Sequence, residues 1–316
     1  MLNRREFSKL SLLTGGALCV PGSFLHAASK DTLITRAIPK TGEKLPVVGL
    51  GTSASFRRLA ESDDVSQLQQ VIKTLLDQGG TVFDTAPSYG EAERVAGSIV
   101  QKLNAKEKVF WATKLNVVPR GGSKADAKKA NAQIEQSFKH IGKEPIDLIQ
   151  VHNLKDIPTQ MGILKELKQE GRIRYIGTTS TRHSSFPELA SAMRNEPLDF
   201  IGVNYAIDDR LAAEEILPIA RARGIAVMVY LPFGRTRLWK RIGKRKVPEW
   251  ATEVGINSWA QFFIKYVAAH PDVTVVTPAT SKPKHMLDNI GAAMGELPDT
   301  ALRNRMADFV DALPSA

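Results

Sequence analysis

Short apolar runs alternate with longer amphipathic stretches from residue 47 to residue 278. The runs lie at 47–51, 82–85, 109–114, 147–152, 175–180, 200–204, 226–230 and 273–278. They are continuous rather than alternating with polar residues, the pattern of parallel strands covered on both faces. Stretches between them, such as 65–76, 92–103, 125–141 and 161–170, carry apolar residues at helical period. Eight strand–helix repeats predict an α/β chain folded as a (β/α)8 TIM barrel. A doubly wound sheet fits a similar alternation. Its Gly-rich turn is incomplete here, because Val48-Gly49-Leu50-Gly51-Thr52-Ser53 lacks the third glycine. No linker interrupts the alternation, so residues 30–316 read as one domain. Residues 29–44 read as a polar linker. Residues 231–257 form a long loop with Arg235, Arg237, Lys240, Arg241, Lys244, Arg245 and Lys246, and with Trp239 and Trp250 among them. Loops of such length are functional or disordered. A lid and a solvated basic loop both fit this one.

The first 29 residues follow a different rule. Asn3-Arg4-Arg5-Glu6-Phe7-Ser8-Lys9 precedes an apolar stretch from Leu10 to Val20, and Ala27-Ala28 offers a cleavage site. The order resembles a twin-arginine signal peptide. It implies the twin-arginine export machinery as a partner and a periplasmic mature protein. The apolar stretch is shorter than the roughly 20 residues of a membrane span, so no stable membrane anchor is expected. The alternative is an ordinary amphipathic N-terminal helix.

Composition adds exclusions more than assignments. The only cysteine, Cys19, falls in that first segment, so the rest has no disulfide, thiol nucleophile or Cys-based metal site. The six histidines, at 26, 140, 152, 183, 270 and 285, are not paired at zinc-ligand spacing, and no metal is expected. The net charge of +10 attracts anions of every kind. No motif supports nucleic-acid binding beyond that charge.

Three strand ends carry polar residues that a plain core would not place there: Asp84, Lys114 and His152. Tyr89 follows Asp84 on the same loop. In a barrel these ends share one face, where active sites are built. Lys114 could instead pair structurally with Asp84, and His152 could be a satisfied core histidine. As a set they suit carbonyl reduction. A phenol with a pKa of about 10 is a reluctant acid. A nearby ammonium favours the phenolate and eases proton release. Asp84 would hold the ammonium in place, and His152 could hydrogen-bond the carbonyl oxygen.

The chain resembles the aldo/keto reductases over most of its length after residue 29. The resemblance rests on Val48-Gly49-Leu50-Gly51-Thr52, Phe83-Asp84-Thr85-Ala86-Pro87-Ser88-Tyr89-Gly90, Ala112-Thr113-Lys114, the run 147–153, Gly171-Arg172-Ile173-Arg174-Tyr175-Ile176-Gly177 and the run 278–289. It implies a (β/α)8 barrel that binds NADP(H), with Asp84, Tyr89, Lys114 and His152 matching the catalytic tetrad. It also implies a small carbonyl or alcohol substrate. Thr179-Ser180 stand where the family has Ser-Asn for the nicotinamide amide, and Gly202 stands where a Gln is usual. Tyr230 matches the aromatic that stacks on the nicotinamide. Ser281, Lys282 and Asn289 match positions for the adenosine phosphate and adenine, and His285 stands where an Arg is common. A rival expectation is a nucleotide-binding sensor with little turnover; Gly202 favours it and the intact tetrad opposes it.

Overall fold

Eight parallel strands follow one another around a single sheet in chain order. They are β1 Leu50–Gly51, β2 Val82–Asp84, β3 Phe110–Leu115, β4 Ile146–Val151, β5 Ile173–Ser180, β6 Phe200–Asn204, β7 Ala226–Tyr230 and β8 Val275–Val276. This computed structural model describes residues 32–314, and the segment read as an export signal lies outside them. The sheet closes on itself. Val48 and Gly51 bridge in parallel to Val276 and Ala279. Gly49 N donates to Val276 O at 2.9 Å and Gly51 N to Pro278 O at 3.1 Å. A sheet that runs in chain order and closes is a barrel, which excludes the doubly wound alternative. The two glycines serve that closure. A Cβ on Gly49 would sit 2.7 Å from Val82 O, and one on Gly51 would sit 2.6 Å from Thr277 O.

The two-residue period of a strand sorts each run into an inner and an outer face. Val82, Phe110, Ala112, Leu148, Phe200, Ala226, Met228 and Val275 share the inner core. Phe83, Trp111, Leu115, Ile149, Val151, Ile201, Val203, Val227, Val229 and Val276 belong to the outer core beneath the helices. The helices Ser66–Asp77, Ala92–Lys102, Ala127–Ile141 and Ile157–Gln169 lie where the apolar period predicts them. The last begins a turn early, with Pro158 in its first turn, where the missing N–H costs nothing. Among the described residues no helix is long and apolar enough to cross a membrane.

The polar linker expected at 29–44 is in part a hairpin. Thr35–Ala37 pairs antiparallel with Lys44–Pro46. It carries Ile38 and Leu45 into the inner core, beside the rings of Phe110, Tyr175 and Phe200. Arg36 ties the hairpin down by donating to His270 O at 2.7 Å, Ala268 O at 3.0 Å and Val273 O. The N-terminal end of the barrel is therefore plugged. Its buried carboxylates are saturated: Asp147 accepts from Trp111 N, Lys143 and Arg174 at 2.7–2.8 Å. Asp199 accepts from Ile176 N and Lys168. Carboxylates so fully paired hold the structure together.

The loop expected at 231–257 contains two short helices, Arg237–Ile242 and Glu249–Thr252. Two of its seven cations reach partners outside the loop. Arg237 donates to Asp208 at 2.6 and 3.0 Å, and Arg241 donates to Val310 O at 2.6 Å and Leu313 O at 3.1 Å. These arginines anchor the loop to the body. Arg235, Lys240, Lys244 and Lys246 are exposed.

Candidate active site

The inward positions of the strands meet at the C-terminal mouth of the barrel. Val82 points in, so Asp84 does too; Phe110 and Ala112 point in, so Lys114 follows. Leu148 carries the same face to Gln150 and His152, and Ala226 and Met228 carry it to Tyr230. A cleft of about 530 Å³ opens over these side chains. Asp84, Tyr89, Lys114, His152, Thr179 and Tyr230 all line it, together with Arg182, Arg235 and Thr277.

Lys114 is the centre of the cluster and is 2% exposed. Its ammonium donates to Asp84 Oδ1 at 2.7 Å and to Thr85 O at 2.8 Å. An ammonium has three protons, and the rings of Tyr89 and Tyr230 each lie with their centroids 5.3 Å from Nζ. Burial opposes the charge on Lys114, but Asp84, Tyr89 and Glu93 hold its pKa above the ordinary lysine value. Asp84 is also buried, and desolvation raises its pKa against the pull of Lys114 and Tyr230.

Tyr89 corrects the expectation of an acidified phenol. Burial raises its pKa, and the charge of Lys114 offsets only part of that. The phenol is therefore protonated in the free protein. His152 meets it edge-on, with ring centroids 6.1 Å apart, and its Nδ1 lies 3.5 Å from Ser88 Oγ. Burial, with Lys114 nearby, lowers the pKa of His152 to about 3. The imidazole is neutral at pH 7 and has one N–H to donate.

The residues matched to cofactor binding fall into three places. Thr179 and Tyr230 line the cleft. Ser180 lines an adjoining cavity with Asn153 and Arg182, and its Oγ accepts from Arg182 N at 3.4 Å. Ser281, Lys282, His285 and Asn289 lie beyond the end of β8, at and within the helix Pro283–Gly291, and do not line the cleft. That helix start has no side-chain cap. Lys282 is exposed there, and Asn289 is only 3% exposed. An uncapped helix start beside a cation suits a phosphate. Burial and the charges of Lys282 and Lys284 lower the pKa of His285, so it is neutral at pH 7 in the free protein.

Sequence reasoning missed three features of the mouth. Arg182 lines both cavities, and nothing in its local sequence marks it; Arg235, read in the sequence only as one cation of the basic loop, lines the cleft. The third is the hydroxyl of Tyr230, which donates to Asp84 Oδ1 at 3.1 Å and accepts from Gln150 Nε2 at 3.1 Å. The small residue at 202 was the available signal. Non-glycine residues with left-handed φ also gather in the loops after β1, β4 and β7: Ala54, Asn153, Leu154, Asp156, Leu231 and Arg235. Such backbone costs on the order of 1–3 kcal/mol per residue and concentrates at functional sites.

Comparison with known proteins agrees with this geometry. The sequence profile of the aldo/keto reductase family matches residues 47–304. Aldo-keto reductase YhdN of Bacillus subtilis is 29% identical over 202 residues, a match that spans 61% of this chain and 60% of that relative. Probable aldo-keto reductase 1 of Glycine max is 27% identical over 290 residues, covering 80% of this chain and 81% of the relative. An aldo-keto reductase from Klebsiella pneumoniae, solved in complex with NADPH, superposes with a TM-score of 0.71 at 24% identity. That superposition covers 88% of this chain and 95% of the other, and shows the shared fold. The profile match spans most of the chain, which belongs to the aldo/keto reductase family of oxidoreductases.

Proposed function

We propose that this chain is an NADP(H)-dependent oxidoreductase that interconverts small carbonyl compounds and alcohols, with Tyr89 as the proton donor and acceptor. The observation that carries the reading is a buried ammonium, anchored by Asp84 and Thr85 O, with the Tyr89 ring beside it. The NADPH complex of the Klebsiella relative supports the choice of cofactor. Thr179, Ser180 and Tyr230 at the mouth, and Ser281, Lys282, His285 and Asn289 around the uncapped helix start, are the residues that would hold the dinucleotide. When bound, it supplies or takes the hydride.

The protein groups then have distinct tasks. Neutral His152 donates its N–H to the carbonyl oxygen and orients it. Tyr89 gives that oxygen a proton as charge develops. The phenolate left behind sits beside Lys114, whose charge stabilises it. Asp84 keeps Lys114 ionised and in position. In the oxidative direction the same phenolate takes the proton from the alcohol.

The test is a comparison of binding with turnover. NADPH binding, followed by fluorescence, should survive Tyr89→Phe, while reduction of an activated dicarbonyl falls about 10²–10⁴-fold. Lys282→Ala should weaken NADPH more than NADH, since a charge-assisted bond to phosphate is worth about 1.5–3 kcal/mol. A parent protein that binds NADPH but reduces no carbonyl would favour a sensor.

A further inference from the structure

Tyr230 is the last residue of β7, and its cross-strand neighbour on β6 is Asn204. Its ring leans back along β6 over Gly202. A Cβ at position 202 would lie 2.3 Å from Tyr230 Cε2, 2.5 Å from its hydroxyl oxygen and 2.7 Å from Cζ. The phenol and any side chain at 202 are therefore mutually exclusive. Gly202 does not have a left-handed φ, so its backbone does not require glycine and the space does.

The space lets the phenol reach inward. Its hydroxyl donates to Asp84 Oδ1, the same oxygen that Lys114 holds. Gln150, on the inner face of β4, donates to that hydroxyl. The phenol proton is thereby directed at Asp84. We propose that Tyr230 is a positioning residue of the proton-transfer site. Its phenol, admitted by Gly202 and oriented by Gln150, fixes Asp84 as the ionised partner of Lys114. The proposal rests on the reading that Tyr89 and Lys114 carry the proton transfer.

The contrast with the lower end of the barrel supports this. There Asp147 has three donors, two of them cations. Asp84 has one cation and the phenol. A buried carboxylate with so few donors is drawn towards its neutral form. Protonated Asp84 would leave Lys114 without its counter-charge. Tyr230 can fill the role across the working pH range because burial, with Asp84 and Tyr89 nearby, keeps its own pKa well above 10. The charged or titratable groups acting on this carboxyl and its partner are Lys114 from β3, Tyr89 from the loop after β2, Tyr230 from β7, His152 beyond β4 and Glu93 from the helix Ala92–Lys102.

Two readouts test the proposal, one independent of activity. The Asp84 carboxyl can be titrated by carbon NMR in the cofactor-free protein, in the parent, Tyr230→Phe, Gly202→Ala and the double variant. Tyr230→Phe should move the titration to higher pH. Gly202→Ala should do the same with the phenol still present, because it evicts the ring. The double variant should match either single, as expected when both remove one interaction. In turnover, kcat should fall about tenfold, equivalent to one lost charge-assisted hydrogen bond. The acid limb of kcat should move up in pH, and in Tyr230→Phe, which keeps the ring, the KM for NADPH should hold within about threefold. An unmoved Asp84 titration in Tyr230→Phe overturns the proposal and makes Tyr230 a filler. If Gly202→Ala fails to fold, Tyr230→Phe still decides. If the parent turns over no carbonyl, the proposed function fails, while the NMR titration still tests the Tyr230–Asp84 link.

Discussion

Lys114 shows how one side chain can be structural and functional together. It is buried with Asp84 at 2.7 Å, and each residue justifies the other's burial. Removing one partner of such a pair leaves an uncompensated buried charge, which costs about 3–5 kcal/mol. Lys114→Met should therefore lose stability of that order in urea denaturation. The double variant Asp84→Asn with Lys114→Met should recover most of it, because no lone charge remains, yet stay inactive. Equal destabilisation in the single and double variants would mean the pair contributes by shape alone. The placement of these residues was readable because each polar side chain ends an apolar run. Two properties were not. The direction of the Tyr89 pKa depends on burial, and sequence shows neighbouring charges more readily than desolvation. The bond from Tyr230 to Asp84 depends on an absent side chain at 202, on β6, far from Asp84 in sequence and four strands away from β2 in the sheet.

At the scale of elements, the long runs were clear and the short pieces were hidden. Strands β3 to β7 each carry five or more residues, enough for their apolar character to stand out. The hairpin strands have three residues each, too few to display a period. They are stabilised by what they cover, since Ile38 and Leu45 are buried by the barrel and not by each other's strands alone. The basic loop was ambiguous for a related reason: its helices of six and four residues are held by distant partners. Asp208, whose side chain is 3% exposed, is the anchor for Arg237. Leu231, Pro232, Phe233, Arg235 and Thr236, at the start of the same loop, form a wall of the cleft. Asp208→Ala should release the loop. Limited trypsin digestion should then cut between 235 and 246 several-fold faster, as expected when local opening becomes easier. Unchanged cleavage would place the anchoring in Arg241 and its carbonyl acceptors.

At the scale of the molecule, the barrel closes where β1 meets β8, and groups buried both at its mouth and away from it fold at a cost. His152 and His270 are the clearest. Burial, then the charge of Lys114, lowers the pKa of His152 to about 3. Burial, then Arg303, lowers that of His270 to about 4. Both are neutral in the folded protein at pH 7, whereas in the unfolded chain they titrate near 6.5. Below that value the unfolded state binds protons that the folded state refuses, so stability falls as pH falls from about 6.5 towards 4. The ceiling is about 1.4 kcal/mol per pH unit for each histidine, and partial exposure of both rings brings the sum to roughly half of the combined limit. Carboxylates with lowered pKa values, such as Asp64, Glu135 and Asp156, lose their contribution only at lower pH, which separates the two effects. Urea midpoints at pH 7, 6 and 5 should therefore decline steadily. His270→Gln should roughly halve the decline without touching the mouth, and His152→Gln should remove much of the rest while impairing turnover. A flat midpoint between pH 6.5 and 5 would show that these imidazoles are solvated, and His152 would then be charged over part of that range. The same neutrality that lets His152 donate one N–H to a carbonyl oxygen is what makes the fold sensitive to mild acid, so the chemistry of the mouth should be measurable in the stability of the whole chain.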